Sequence, residues 1–349
     1  MDYQYRDVFM HNIAREDYRR VVAEGREDFR HDDEQVNGEE EKKRVAVVVA
    51  EGREDFRHDE EQVNGEEEKK RVVVVGNNGF KAGPQKNESS AYRTLQQVDK
   101  GPSHSWWKDD PQCSRLDVRY GQDLTPTLLQ SYPRSGNTWV RYLLEGATGI
   151  FTSSVYKDFT LIRAGYLGER SKIWYRNTIV TKIHFVKHLQ KFADVPAIII
   201  IRNPARVLVS LWSYVNIKNR QRKHVAVMNP ESFNTSAFHA FVGPGLKKWL
   251  WTTRESLTNK KRRLLVLYFE DIRANPTQEV RKMLQFLKVW PDEKRLSCLE
   301  RNLEGKVKSV HKTLDPFTQE EQKDIDRAVA EINRLLTDRG LQPLPDYHK

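Results

Sequence analysis

Two short stretches, with His184 between them, hold the residue types from which an anion-handling site can be built. The first is Ser131-Tyr132-Pro133-Arg134-Ser135-Gly136-Asn137-Thr138-Trp139. It reads as a strand end, a tight turn that Gly136 permits, and the start of an amphipathic helix. At such a helix start the amides of residues 135 to 138 lack intrahelical acceptors and converge, with the positive end of the helix dipole, on a phosphate-like anion. The pattern G-x-x-x-x-G-K-[ST] is absent and no lysine precedes Thr138, so this is not a nucleoside triphosphatase loop. Trp139 is either core or a stacking face for a base.

The second stretch runs from Arg202 through Asn203 and Pro204 to Ser210, directly after the run AIIII at Ala197–Ile201. A short unbroken aliphatic run is a strand buried on both faces, which puts Arg202 at the carboxyl edge of a parallel sheet, where open α/β sheets bind ligands. Pro204 suits a first helical turn, and Ser210 then lies about two turns along. Arg202 and Ser210 can grip one phosphate together; an Arg202–carboxylate pair with Ser210 as a small packing residue stays open. Between the stretches stands Thr181-Lys182-Ile183-His184. In a strand, residues 182 and 184 share a face, and a neutral imidazole suits a general base near pH 7. A structural histidine is the competing reading, with His188 and His224 as weaker bases.

Positioning these groups requires alternating strands and helices. Strands are predicted at Thr127–Tyr132, Thr178–Lys182, Ala197–Ile201 and Leu264–Tyr268, and helices at Thr138–Ala147, Pro204–Val215 and Thr277–Leu287. Thr318 and Glu321 form a capping-box pattern ahead of Ile325, Val329, Ile332 and Leu336 at helical spacing. The predicted fold is α/β, a P-loop-like three-layer α/β/α arrangement with a central parallel sheet over residues 124–349. Residues 91–123 read as a connecting segment, and residues 1–90 as a charged, mostly disordered arm and linker. Within that arm the segment Ala23–Val45 returns as Ala50–Val72 with Glu60 in place of Asp33, a duplication without the copy number of a solenoid.

Composition narrows the partners. The 349 residues are 38% hydrophobic and carry a net charge of +10, enough apolar matter for a sizeable core and too much for wholesale disorder. Two cysteines, Cys113 and Cys298, exclude a disulfide scaffold and a four-cysteine zinc site while leaving one bridge open. No aliphatic run approaches the roughly 20 residues of a membrane span, and the start has no apolar signal core, so the chain reads as soluble. Residues 1–80 hold 14 basic and 22 acidic side chains against 45 and 27 in the remainder, so the basic character lies in the predicted domain, where an anionic partner would bind. That sign fits nucleic acid, an acidic membrane surface, a polyanionic glycan or a phosphate-rich cofactor, and charge alone does not choose among them.

The two stretches together resemble the signature loops of sulfotransferases that use 3′-phosphoadenosine 5′-phosphosulfate (PAPS). Both are present in order, with the Arg202 to Ser210 spacing intact, and the wording around Ser131 with Gly165-Tyr166-Leu167-Gly168-Glu169 looks most like the WSC-domain-containing branch of carbohydrate sulfotransferases. The likeness covers about residues 124–336 and lacks the cysteine-rich WSC modules. It implies that Arg134, Ser135, Gly136, Asn137 and Thr138 hold the 5′-phosphosulfate, that Arg202 and Ser210 hold the 3′-phosphate, and that Trp139 stacks on adenine. It further implies that His184 takes the acceptor proton, with Arg134 and Lys182 stabilising leaving-group charge, that no metal is required, and that no nucleic acid partner is expected. Lys306 or Lys308 would close a basic loop over the 3′-phosphate, and Phe269 would lie near adenine or in the core. Ile183 departs from the family's K-[ST]-H step, and Arg134 stands where many relatives have lysine; an arginine can stabilise charge but not donate a proton.

The implied function is transfer of a sulfuryl group to a hydroxyl, on a carbohydrate, with an inactive nucleotide- or polyanion-binding relative as the alternative. A nucleotide kinase of the same architecture is disfavoured by the missing loop lysine. Lys218, Arg220, Arg222 and Lys223 would suit an acidic glycan acceptor. The branch implies a Golgi location and a membrane anchor, with a cytoplasmic location as the alternative; a truncated or misjoined N-terminus would account for the missing anchor and for the repeat.

Overall fold

The computed structural model describes residues 92–216, 229–258, 262–305 and 315–347. The N-terminal repeat, Lys218, Arg220, Arg222, Lys223, His224, Lys306 and Lys308 lie outside the described residues.

Among the described residues, five parallel strands form the central sheet: β1 (Leu128–Ser131), β2 (Ser153–Ser154), β3 (Thr181–Ile183), β4 (Ala197–Ile201) and β5 (Leu264–Tyr268), in the order β2-β3-β1-β4-β5. Register pairs Leu129 with Lys182 on one side and with Ile198 on the other. From β1 the chain passes to the edge strand β2, returns to β3 on that side, and then crosses to β4 on the other, so a crevice opens beyond the carboxyl end of β1. β4 and β5 match the predicted strands residue for residue. The two-residue edge strand β2 has no hydrophobic run behind it, and its SS sequence carries no strand signal.

Alternation along the strands divides the core. Leu129, Ile198, Ile200, Leu265 and Leu267 face one layer, built on α1 (Asn137–Thr148), α7 (Pro276–Leu287) and α8 (Glu293–Arg301). Leu128, Ile199, Ile201, Val266 and Tyr268 face the other, built on α4 (Pro204–Asn216), α5 (Ser236–Thr258) and α9 (Gln319–Thr337). Short helices α2 (Phe159–Arg163), α3 (Val186–Lys191) and α6 (Phe269–Ala274) complete the α-helices among the described residues. The predicted capping box on α9 is present in both directions. The predicted helices do not include α5, whose middle holds Gly243-Pro244-Gly245; packing of Phe238, Val242, Leu246 and Trp249 in the core sustains a helix that propensity alone would break. No described helix is long and apolar enough to cross a membrane.

Residues 92–123, read as a connecting segment, lie against this domain. Trp106 and Trp107 are buried in the first core layer, bridges link Arg93 to Val289 and Arg119 to Ile150, and Cys113 is disulfide-bonded to Cys298 on α8.

Candidate active site

The sheet brings four strand ends to one edge: the loop 132–136 after β1, His184 one residue past β3, Arg202 one residue past β4, and Phe269 after β5. Local backbone shape decides what the first loop can present. Arg134 and Gly136 both adopt left-handed conformations, at φ 71° and 89°. A non-glycine residue held there is strained, and such strain collects at functional loops. Gly136 is required twice over, since a Cβ at that position would lie 2.5 Å from two ring carbons of Phe269.

One expectation for this loop is corrected. The Ser135 amide does not join a cradle, because it closes the turn by donating to the Tyr132 carbonyl at 3.2 Å. The amides of Gly136, Asn137 and Thr138 have no protein acceptor among the described residues, as the first turn of a helix leaves them. Ser135 supplies its side chain instead: its Oγ is buried and without a hydrogen-bond partner. A buried hydroxyl left unpaired is costly unless a ligand satisfies it. Asn137 is buried and locks the helix start to the sheet, donating to Leu129 O and Ser131 Oγ, both at 3.2 Å.

Arg134 ties the two predicted anion sites together. Its Nε donates to Ser210 Oγ at 3.1 Å, and its carbonyl accepts from Arg202 Nη1 at 2.8 Å. Thus Ser210 and Arg202 meet through Arg134 rather than directly. The Arg134 guanidinium also lies over the Tyr214 ring at 4.9 Å. Arg202 is buried, forms no ion pair with a carboxylate among the described residues, and keeps its Nε unpartnered. Burial lowers its pKa to about 10, against the opposing field of Glu270. Glu270 Oε1 instead accepts from the Asn203 amide, which shapes the turn behind Arg202. The Arg202 guanidinium stacks on Phe269 at 4.3 Å, and Phe269 meets Trp139 edge to face at 5.9 Å. Trp139 is half-buried and donates from Nε1 to Leu303 O at 2.7 Å, which fixes its plane.

His184 is buried, and Nδ1 lies 2.8 Å from the Ser131 carbonyl. A carbonyl only accepts, so Nδ1 carries the proton and Nε2 presents a lone pair. Burial first, then the nearby Lys182 charge, holds the imidazole well below its usual 6.5. It is therefore a neutral base at pH 7. Lys182 is buried on β3, its Nζ 5.8 Å from the Tyr156 ring centroid; burial lowers its pKa and Glu169 opposes that. His188, half-buried on α3, meets the same Tyr156 ring edge-on at 5.9 Å.

Sequence reasoning missed the charged layer beneath the loop. Arg141 on α1 pairs with Glu169 at 2.6 Å, and both side chains are fully buried. Arg141 Nε also donates to Thr152 Oγ1, whose hydroxyl and amide donate to Glu145. Burial pushes the Glu145 carboxyl up to about 7, whereas Arg141 and Lys182 outweigh burial at Glu169 and keep it ionised. Tyr166 closes the layer by donating to Thr138 O at 2.9 Å. The available signal was the i,i+4 spacing of Arg141 and Glu145, which by itself reads as an ordinary surface pair.

The sequence profile described as a sulfotransferase domain matches residues 124–326. WSCD family member GA21586 of Drosophila pseudoobscura pseudoobscura is 29% identical over 228 residues, covering 62% of this chain and 69% of the relative. WSCD family member CG9164 of Drosophila melanogaster is 28% identical over 205 residues, covering 57% and 62%. The chain thus spans 62 to 69% of the length of these curated relatives. Among solved structures, mouse sulfotransferase SULT7A1 complexed with PAP is similar at 17% identity and a TM-score of 0.39, covering 60% of this chain and 84% of that one.

Proposed function

This chain belongs to the sulfotransferase domain family, and we propose that it moves a sulfuryl group from PAPS to a hydroxyl, that of a carbohydrate. The observation that carries this reading is the pair of buried, unpartnered donors, Ser135 Oγ in the loop after β1 and Arg202 Nε on the arginine that donates to that loop's Arg134 carbonyl. Such a site fits a doubly anionic ligand. The amides of residues 136 to 138, Ser135 Oγ and Arg134 would hold the 5′-phosphosulfate. Arg202 and Ser210 would hold the 3′-phosphate, with Trp139 and Phe269 walling the base. Lys306 and Lys308 are proposed to close over the 3′-phosphate.

In the proposed reaction His184 Nε2 takes the proton from the acceptor hydroxyl as the new oxygen–sulfur bond forms. The bond between sulfur and the 5′-phosphate oxygen breaks in line with it, leaving adenosine 3′,5′-bisphosphate. Arg134 and the loop amides stabilise the charge arriving on that oxygen, and Lys182 adds a second positive charge beneath the loop. The demands resemble those of phosphoryl transfer, where positioning and electrostatics outweigh covalent work. A basic acceptor rim at Lys218, Arg220, Arg222 and Lys223 would favour an acidic glycan. The buried Cys113–Cys298 disulfide supports action in the oxidising secretory pathway. We place the protein in the Golgi, which co-staining of the tagged protein with a Golgi marker checks.

The test is calorimetric titration of the full chain with adenosine 3′,5′-bisphosphate and with 5′-AMP, beside Arg202→Ala. Two charge-assisted phosphate contacts predict a preference of about a hundredfold for the bisphosphate, lost in the variant. Equal binding of the two nucleotides refutes the reading. Bisphosphate binding without donor turnover, unchanged by His184→Ala, would favour a non-catalytic relative instead.

A further inference from the structure

His184 stands where the sheet ends, and this leaves its position under-determined by the ladder. β3 stops at Ile183, so the amides of His184 and Phe185 have no strand partner. α3 begins at Val186, and Phe185 at its N-cap offers no side-chain cap. One atom satisfies both amides. Tyr156 Oη accepts from the His184 amide at 2.7 Å and from the Phe185 amide at 3.3 Å.

These two amides belong to the peptide units on either side of the His184 Cα, so a single oxygen restrains both backbone torsions of that residue. The Tyr156 ring does a second job. It lies parallel to the imidazole, with centroids 5.5 Å apart and planes 19° apart, and covers one face of it. With Nδ1 tied to Ser131 O, the imidazole is held from the backbone, from one face and from one ring nitrogen. Only Nε2 is left to act.

Tyr156 is itself held by the edge of the sheet. The Val155 amide donates to Lys182 O at 3.3 Å, continuing the pairing of β2 with β3, and the Tyr156 amide donates to Ser154 Oγ at 3.0 Å. The short strand β2 therefore has a task beyond completing the sheet, since its register delivers the phenol to the end of β3.

We propose that Tyr156 is a positioning residue for His184, clamping the two peptides that flank it and the face of its ring so that Nε2 points at the acceptor hydroxyl. This rests on the reading of His184 as the base of a sulfuryl transfer. A displacement of the base by an ångström is enough to cost about a hundredfold in rate.

Tyr156→Phe in the full chain keeps the ring and removes the oxygen. With ³⁵S-labelled PAPS as donor and water as acceptor, sulfate release should fall by about tenfold to a hundredfold. Affinity for adenosine 3′,5′-bisphosphate, measured by calorimetry, should stay within about twofold. Placed on His184→Ala, the same substitution should change the residual rate by less than about twofold, because its effect passes through the imidazole. Equal losses in both backgrounds, or no loss in the first, overturn the proposal. Nitrogen-15 histidine NMR supplies a readout independent of turnover: His184 should carry its proton on Nδ1 in the unaltered protein, and in Tyr156→Phe that proton should exchange with water at least about tenfold faster. Unchanged exchange overturns the proposal even if the protein turns over no donor. Failure of the unaltered protein to bind the bisphosphate counts against the sulfotransferase reading and leaves the NMR test standing.

Discussion

Gly136→Ala probes the geometry of the loop more sharply than removal of any charged group, because its two penalties can be separated. The first is conformational: at φ 89° an L-residue is disfavoured, by about 1–2 kcal/mol. The second is steric. The added methyl would lie 2.5 Å from Cδ2 and Cε2 of Phe269. That ring cannot swing aside freely, since the Arg202 guanidinium stacks on it at 4.3 Å and Trp139 meets it at 5.9 Å. Overpacking of this kind adds about 1–3 kcal/mol, for a total loss of about 2–5 kcal/mol. Gly340 is the control, with φ 67° and open space where an added methyl would sit, so Gly340→Ala should show the conformational penalty alone, about 1–2 kcal/mol. Urea unfolding of the two variants with unchanged slope reads the difference. Calorimetry should show weakened bisphosphate binding for Gly136→Ala and unchanged binding for Gly340→Ala. Equal destabilisation of both variants would refute the reasoning, since it would mean that Phe269 yields without resistance.

Two further outcomes are expected. Replacing both Cys113 and Cys298 with serine opens a loop of 185 residues' separation and should lower stability by about 2–5 kcal/mol; thermal unfolding of the oxidised protein beside the double variant checks this, and a change below about 1 kcal/mol would contradict it. The pH dependence carries a sign: His184 is held below its usual 6.5 in the folded protein, so as pH falls through 6.5 the unfolded chain takes up the proton first. Stability should therefore fall below pH 6.5 by up to about 1.4 kcal/mol per pH unit until the folded imidazole also protonates. His184→Gln should flatten that part of the curve, and an unchanged slope would show that His184 does not titrate abnormally.

Much of the candidate site was legible because its parts are local. A strand followed by Arg134-Ser135-Gly136-Asn137-Thr138, and AIIII followed by Arg202, place their residues at strand ends by pattern alone, since alternating apolar runs and helix-start residues are consequences of backbone geometry within one segment. The Thr318 and Glu321 capping box was readable for the same reason. What lay beyond the sequence depends on which segments become neighbours. Arg134 meets Ser210 and Arg202 across 76 and 68 residues of chain, and those contacts exist only because β4 pairs directly beside β1. The Ser135 amide turns inward to Tyr132 because Arg134 adopts a left-handed conformation, which no residue type announces. Tyr156 reaches His184 through a two-residue edge strand that carries no periodic signal, and Cys113 finds Cys298 only once residues 92–123 pack against α8. Short-range pattern thus determined which groups stand at the sheet edge; the order and register of the parallel strands, a matter of long-range pairing and burial, decided which of them touch.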